Sequence, residues 1–311
     1  MNSPRGSGSG LVSDSTNPAA DRQAMRQSDR SIFWTMSRRR RAAALVRTAF
    51  LVAMALLLFG PIIVLAVFSF NDSIVIGFPF GQPTLEWYRQ AMAETPAWDS
   101  LRASLQVAVI VTPVCLLLGL LSAFALSRFR FRFRGTASGF ILLPLVIPWL
   151  LIGVSGLIFF SLLNVRLSLW TVGVMHVVIA FPLVTALLSA QLVRLDPHIH
   201  EASLDLGATE TETLRHVIVP LLLPTIGASA VFVFSWSFNN FIVSFFTAGF
   251  DNTFPIWVFS SLRRARDLPV VNALATLVSV IQILLIVGVW QLLKIRMDRR
   301  GQDIRDVVAG A

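Results

Sequence analysis

Charged side chains are scarce in this chain: Asp, Glu, Lys and Arg make up 14% of its 311 residues, against about 25% in a water-soluble domain. With a mean hydropathy of +0.71, that deficit excludes an ordinary soluble fold. Lysine is almost missing. Lys294 is the single one, and it stands outside any G-x-x-x-x-G-K-[ST] loop, so the chain cannot cradle nucleotide phosphates in the P-loop manner. Cysteine is equally rare: Cys115 is alone and lies within an apolar run, which excludes an intrachain disulfide. No Ser/His/Asp, Cys/His or paired-carboxylate arrangement stands out, so no catalytic residue is assigned and the chain is read as not an enzyme. His198 and His200, beside Asp196 and Glu201, lack a zinc-ligand spacing, and no metal site is assigned.

What the chain does have is length of apolar run. Segments at about 48–70, 104–126, 138–162, 170–193, 220–243 and 269–293 each reach the roughly 20 residues that a helix needs to cross about 30 Å of hydrocarbon. A crossing must be helical there, because lipid offers no partner for free N–H and C=O groups. The expected fold is an all-α polytopic membrane protein of six transmembrane helices. Pro61, Pro113, Pro144, Pro148, Pro182 and Pro224 fall inside or at the ends of these runs, so kinks are expected. Residues 1–37, rich in Ser, Gly, Asp, Asn and Arg without apolar periodicity, read as a disordered tail. The spans occupy 38–295, and 296–311 read as a second tail. The run from about Thr48 to Phe70 is too long for a cleavable signal core, so it is a retained first span.

The net charge of +9 does not indicate nucleic acid, because the arginines sit at the ends of apolar runs. Arg38–Arg41, Arg47, Arg128–Arg134, Arg194, Arg215 and the cluster after Lys294 share one side; Arg89, Arg102, Arg166 and Arg263–Arg266 share the other. The first set is larger, which places both termini in the cytoplasm. The alternating Arg-Phe stretch at 128–134 reads as headgroup contact: arginines meet anionic lipid and phenylalanines dip into the interface.

One hydrophilic connection of real length, 194–220, carries consistent local signals. Asp196-Pro197 is a helix N-cap with proline at the first helical position. Gly207 fits the left-handed position past a helix end. Thr209 and Glu212 form a capping box that opens a second helix. Two short helices therefore meet at a glycine corner. Ile199, Ala202, Leu204 and Ala208 give this corner a small apolar face, suited either to a protein contact or to packing on the membrane ends of its neighbours.

Glu201-Ala202-Ser203, three residues, Gly207, nine residues and Val217-Ile218-Val219-Pro220 resemble the EAA motif of ABC-importer permeases, with Ser203 in place of the second alanine. Phe70-Asn71-Asp72-Ser73, Thr84-Leu85-Glu86-Trp87-Tyr88, Leu143–Pro148 and Asn272–Thr276 look like the spermidine/putrescine branch. The resemblance implies a type I importer bundle in a prokaryotic inner membrane, with a cytoplasmic coupling helix that docks into an ATPase. Glu201, Ala202, Ser203, Gly207, Ala208, Thr209 and Pro220 would serve coupling. Implied partners are a cytoplasmic ABC ATPase dimer that holds ATP and Mg, a similar but distinct second permease, and an extracytoplasmic substrate-binding protein, besides membrane lipids. The chain itself would hold no cofactor. The expected function is the pore subunit of an ATP-driven importer for a small solute such as a polyamine.

Polar residues inside spans are costly and often functional. Asn239 and Asn240, with Trp236, are the candidates for the substrate pathway. Relatives often carry paired aspartates at that place, so the amides bear on substrate charge. His176 and Gln282 are the other polar side chains within spans. The alternative function, an ion-gradient-driven secondary transporter, would need a central intramembrane Asp, Glu or Lys, and none stands out.

Overall fold

The computed structural model describes residues 44–73, 77, 80–129, 131–264 and 268–309. The expected tail at 1–37 and the Arg38–Arg41 run lie outside them. The first span, α1 (Ala44–Phe68), is an uninterrupted helix of 25 residues, about 37 Å long at 1.5 Å per residue.

From there a short helix α2 (Glu86–Ala93) leads into α3 (Thr95–Arg128), then α4 (Arg134–Leu142), a 3-10 turn (Leu143–Leu145) and α5 (Trp149–Leu162). Next come α6 (Leu169–Arg194), α7 (Pro197–Asp205), α8 (Glu210–Glu212) with a π turn (Thr213–Ile218), and α9 (Val219–Asn239). Two short helices, α10 (Ile242–Thr247) and α11 (Phe254–Leu262), precede α12 (Leu268–Ala309), which continues well past its apolar stretch.

The central pair is α3 and α6. Along α3 the buried positions are Ala97, Ser100, Ser104, Val107, Ala108, Val111, Cys115, Gly119, Ala123 and Leu126, mostly three or four apart and mostly small. Lipid tails are as apolar as leucine, so burial of apolar area does not drive helices together in a membrane; close approach of backbones does. A Cβ on Gly119 would fall 2.7 Å from Val184 Cβ and 3.2 Å from the Thr185 amide nitrogen of α6. Gly119→Val is therefore expected to destabilise the bundle by about 1–3 kcal/mol through overpacking, read as a lowered unfolding temperature in detergent.

The expected single span at 138–162 is instead a bent pair: the α4 segment (Arg134–Leu145) and α5 meet at 98°. Pro148 is the cause. Its ψ of 131° stops the preceding turn, and its carbonyl then accepts the first amides of α5, from Leu151 and Ile152. At 12 and 14 residues the pieces are about 18 and 21 Å long, too short to cross singly. Together they do cross. Leu126 and Ser127 at the end of α3 share a cavity with Ser189 and Val193 at the end of α6. Gln106 near the start of α3 shares another with Leu169 at the start of α6. The two long helices thus run the same way, and the chain between them must return across the bundle.

The expected fifth span, 220–243, is also corrected. Its helix begins at Glu210 and stops at Asn239. Pro220 has no N–H for the carbonyl four residues back, and its ring presses on that carbonyl; the wider π turn just before it takes up the misfit. Pro113, Pro182 and Pro224 lie inside continuous helices.

Candidate functional site

Two places bring functional side chains together, and the first is the corner at the end of α6. Asp196 caps α7 through its carboxylate, which accepts the His198 amide at 3.0 Å. At the other end the Gly207 amide donates to the Leu204 carbonyl (2.9 Å) and the Ala208 amide to the Ser203 carbonyl (3.2 Å). That is the paired closure of a Schellman motif, and it requires the left-handed φ of +88° seen at Gly207. Thr209 and Glu212 then form the reciprocal box: Glu212 Oε2 accepts the Thr209 amide at 2.8 Å, and Thr209 Oγ1 accepts the Glu212 amide.

The corner is also cross-braced. Ser203 Oγ and Thr213 Oγ1 lie 2.9 Å apart, joining α7 to the π turn at a fully buried threonine. His198 pairs with Glu201, and His200 of α7 reaches Glu210 of α8 at 3.4 Å. Ile199 and Leu204 remain exposed, Ala202 with them, and Leu206 is 90% exposed. No other described element covers this apolar face. Pro220 sits at the root of α9.

The second place is a broken-helix centre inside the bundle. The α9 helix ends at Asn239, and Asn240 turns extended with ψ 108°. Asn240 Oδ1 accepts the Val243 amide at 3.0 Å, starting α10. This break is deep, because Asn239 Nδ2 reaches Gln282 Oε1 at 3.4 Å, and Gln282 lies about 21 Å along α12 from Leu268 at 1.5 Å per residue. Irregular backbone at membrane depth survives only where protein buries it or where it lines a wet cavity. Both conditions are met on opposite sides of the break.

On the buried side, His176 of α6 bridges the two pieces. Its Nδ1 is 2.9 Å from Ser237 Oγ of α9, and its Nε2 is 3.1 Å from Ser244 Oγ of α10. The Ser244 hydroxyl itself donates to the Asn240 carbonyl at 2.7 Å. Its one proton is thereby used, so Nε2–H must donate to Ser244, and Nδ1 of the neutral ring accepts from Ser237. Trp236 stands edge-on to His176 and to Trp149, the first residue of α5, with centroids 5.2 and 5.6 Å apart. It therefore touches both span breaks. On the open side, Asn239 and Gln282 face a cavity of about 380 Å³ walled by Phe241, Phe254 and Phe259. Gln282 Nε2 has no partner there.

The two adjacent asparagines thus part company: Asn239 is exposed on the cavity and Asn240 is buried as a cap. Ser237, Ser244 and Trp149 were not legible as members of this centre. Their roles depend on the register between α5, α6 and α9, for which no local pattern exists.

At the end of the bundle away from the corner, motifs distant in sequence fold onto one another. Asn71 is fully buried; its carbonyl accepts Trp87 Nε1 at 2.7 Å and its side chain accepts the Gly81 amide at 2.8 Å. Ser69 Oγ and Tyr88 OH are 2.7 Å apart. Leu274 of the Asn272–Thr276 segment packs with Ala91 of α2.

Taken together, six candidate crossings with one bent pair, a polar cavity beside a broken helix and a stiff corner at the end of α6 define a membrane permease. Residues 115–297 match the family described as the inner membrane component of binding-protein-dependent transport systems, and the chain belongs to that family. It is 31% identical over 262 residues to the spermidine/putrescine transport system permease protein PotC of Shigella flexneri, covering 84% of this chain and 98% of that one. It is 32% identical over 231 residues to the putrescine transport system permease protein PotI of Escherichia coli K12, covering 71% and 81%. A solved bacterial ABC transporter involved in the import of the acidic polysaccharide alginate shares its fold, with a TM-score of 0.63 at 16% identity over 81% of this chain and 96% of that one. The protein is a multi-pass inner-membrane permease subunit of an ABC importer, and nothing in these likenesses supports an ion-driven carrier.

Proposed function

We propose that this permease imports a polyamine of the spermidine or putrescine kind, driven by ATP that a separate subunit hydrolyses. The observation that carries the coupling half is the corner at 196–213. It is capped at three points, braced by Ser203–Thr213, and still leaves an apolar face open. A rigid body with an uncovered apolar face suits docking into a partner. Glu201, Ala202, Ser203, Gly207, Ala208 and Thr209 lie in that body, and Pro220 joins it to the span that carries the pathway break. The partner ATPase dimer would hold ATP and Mg, a second similar permease would complete the pore, and a binding protein would deliver substrate at the far end. Both termini would then lie in the cytoplasm, which the larger set of arginines on that side supports.

The polyamine half rests on PotC and PotI as relatives and on aromatic walls at the pathway, whose ring faces attract cations. A second reading, a substrate of lower charge, is favoured by one feature: Asn239 and Gln282 present amides, not carboxylates, to the cavity. Uptake of labelled spermidine and putrescine by proteoliposomes holding all four kinds of subunit separates them. ATP hydrolysis stimulated by the binding protein without polyamine uptake would overturn the substrate while leaving the importer intact. Gln282→Leu is expected to lower uptake about fivefold, the worth of one neutral hydrogen bond, mainly through KM and without change in basal ATP hydrolysis.

A further inference from the structure

The cavity bounded by α3, α4 and α6 at the corner's end of the bundle has no part in the pathway or the corner, yet its chemistry is specific. It measures about 290 Å³, and Ser127, Arg134, Ser138, Thr185 and Ser189 line it, with Val193 at the edge. Thr185 spends its hydroxyl proton on the Phe181 carbonyl (3.0 Å). Ser189 Oγ and the neighbouring Arg128 Nε are buried without any partner. Among the described residues neither Arg128 nor Arg134 forms an ion pair with a carboxylate. Buried donors are normally satisfied, and each that is not calls for an explanation such as an absent ligand. Donors gathered round a guanidinium select an oxyanion, and Arg is the side chain whose fork fits phosphate.

The rim decides which phosphate. Phe129 and Phe133 are 58% and 66% exposed, and Val193 is 75% exposed. Val193 lines the pocket, Phe129 caps the end of α3 just after Ser127 and Arg128, and Phe133 directly precedes Arg134, so these apolar side chains adjoin the pocket's residues where α3 and α6 leave the apolar zone. A free inorganic phosphate has no use for such a rim, whereas the acyl chains of a membrane lipid lie along it. We propose that this pocket binds the phosphate of an anionic phospholipid from the leaflet on the corner's side. This is a built site, and so more than the general attraction of basic segments for anionic headgroups. Its α6 wall ends three residues before α7, so a seated lipid steadies the root of the corner.

The test uses the full chain, purified in a mild detergent with its partner subunits and analysed by native mass spectrometry after mixing with phosphatidylglycerol. One or few retained phosphatidylglycerol molecules are expected, with phosphatidylcholine retained far less. Arg134→Gln is expected to reduce retention about tenfold, the effect of losing one charge-assisted hydrogen bond. Ser189→Ala should reduce it in the same direction, while Arg132→Gln on the same basic run leaves it unchanged. Retention unaltered by both Arg134→Gln and Ser189→Ala overturns the site. Equal loss in Arg132→Gln reduces it to diffuse attraction, and full displacement by millimolar inorganic phosphate assigns the pocket to a free anion. Arg134 is exposed and Ser189 half-buried, and neither variant removes apolar packing, so both should fold.

Discussion

Gly207→Val is expected to abolish ATP-driven uptake while the chain still inserts, folds and assembles. The corner residue has φ +88°, and a Cβ built there meets nothing within 4 Å. The substitution is therefore opposed by backbone conformation alone and not by crowding. A left-handed conformation costs an ordinary L-residue about 1–2 kcal/mol, and a β-branched one resists it further. That strain is relieved by giving up the two closing bonds, Gly207 N–H to Leu204 and Ala208 N–H to Ser203, after which α7 is no longer held against α8. The spans are untouched by this, so membrane yield and detergent behaviour should match the native protein. Coupled hydrolysis and uptake should both fall by more than about tenfold, since loss of about 1.4 kcal/mol in docking is already tenfold. Gly207→Asn, which tolerates the same φ, should keep most of the activity. Full uptake by the valine variant would remove the corner from the coupling path.

Much of that corner was legible from sequence because its signals are local. A cap, a first-turn proline, a left-handed glycine and a capping box each act within three or four residues, so Asp196, Pro197, Gly207, Thr209 and Glu212 can be read in order. The six crossings were legible for a similar reason: their signal is length. The interruptions were not. Six prolines fall in or beside the apolar runs, yet within the described spans Pro113, Pro182 and Pro224 ride inside unbroken helices while Pro148 stops one. Which outcome follows depends on what neighbouring helices offer the freed carbonyls. The break after Asn239 carries no proline or glycine at all. It is held by Asn240 capping Val243 and by a histidine more than sixty residues earlier in the chain, contacts that only the packed bundle creates. The same holds for Gly119, whose closeness to Val184 and Thr185 is a property of the pair of helices and not of either one.

The histidine supplies the second large effect. His176→Leu is expected to lower the unfolding temperature markedly and to stop transport, because one ring serves both sides of the broken span. Removing it leaves the buried Ser237 hydroxyl without the acceptor it uses, while Ser244 loses one donor but keeps its bond to the Asn240 carbonyl. An orphaned buried hydroxyl costs about 1–3 kcal/mol, whereas deleting both members of a pair can be nearly neutral. Interhelical hydrogen bonds in membranes average only about 0.6 kcal/mol in double-mutant cycles, so the loss of favourable bonding alone predicts a small change. The orphaning of the Ser237 hydroxyl predicts a larger one. The difference is measurable: Ser237→Ala, added to His176→Leu, should return most of the lost stability. It should not return transport if α9 and α10 must be held in register for the pathway beside Asn239 to open. An unchanged unfolding temperature in His176→Leu would mean that water satisfies Ser237 and that the ring is not a clamp. Recovery of both stability and uptake in the double variant would confine His176 to packing, with the pathway indifferent to how its two halves are joined.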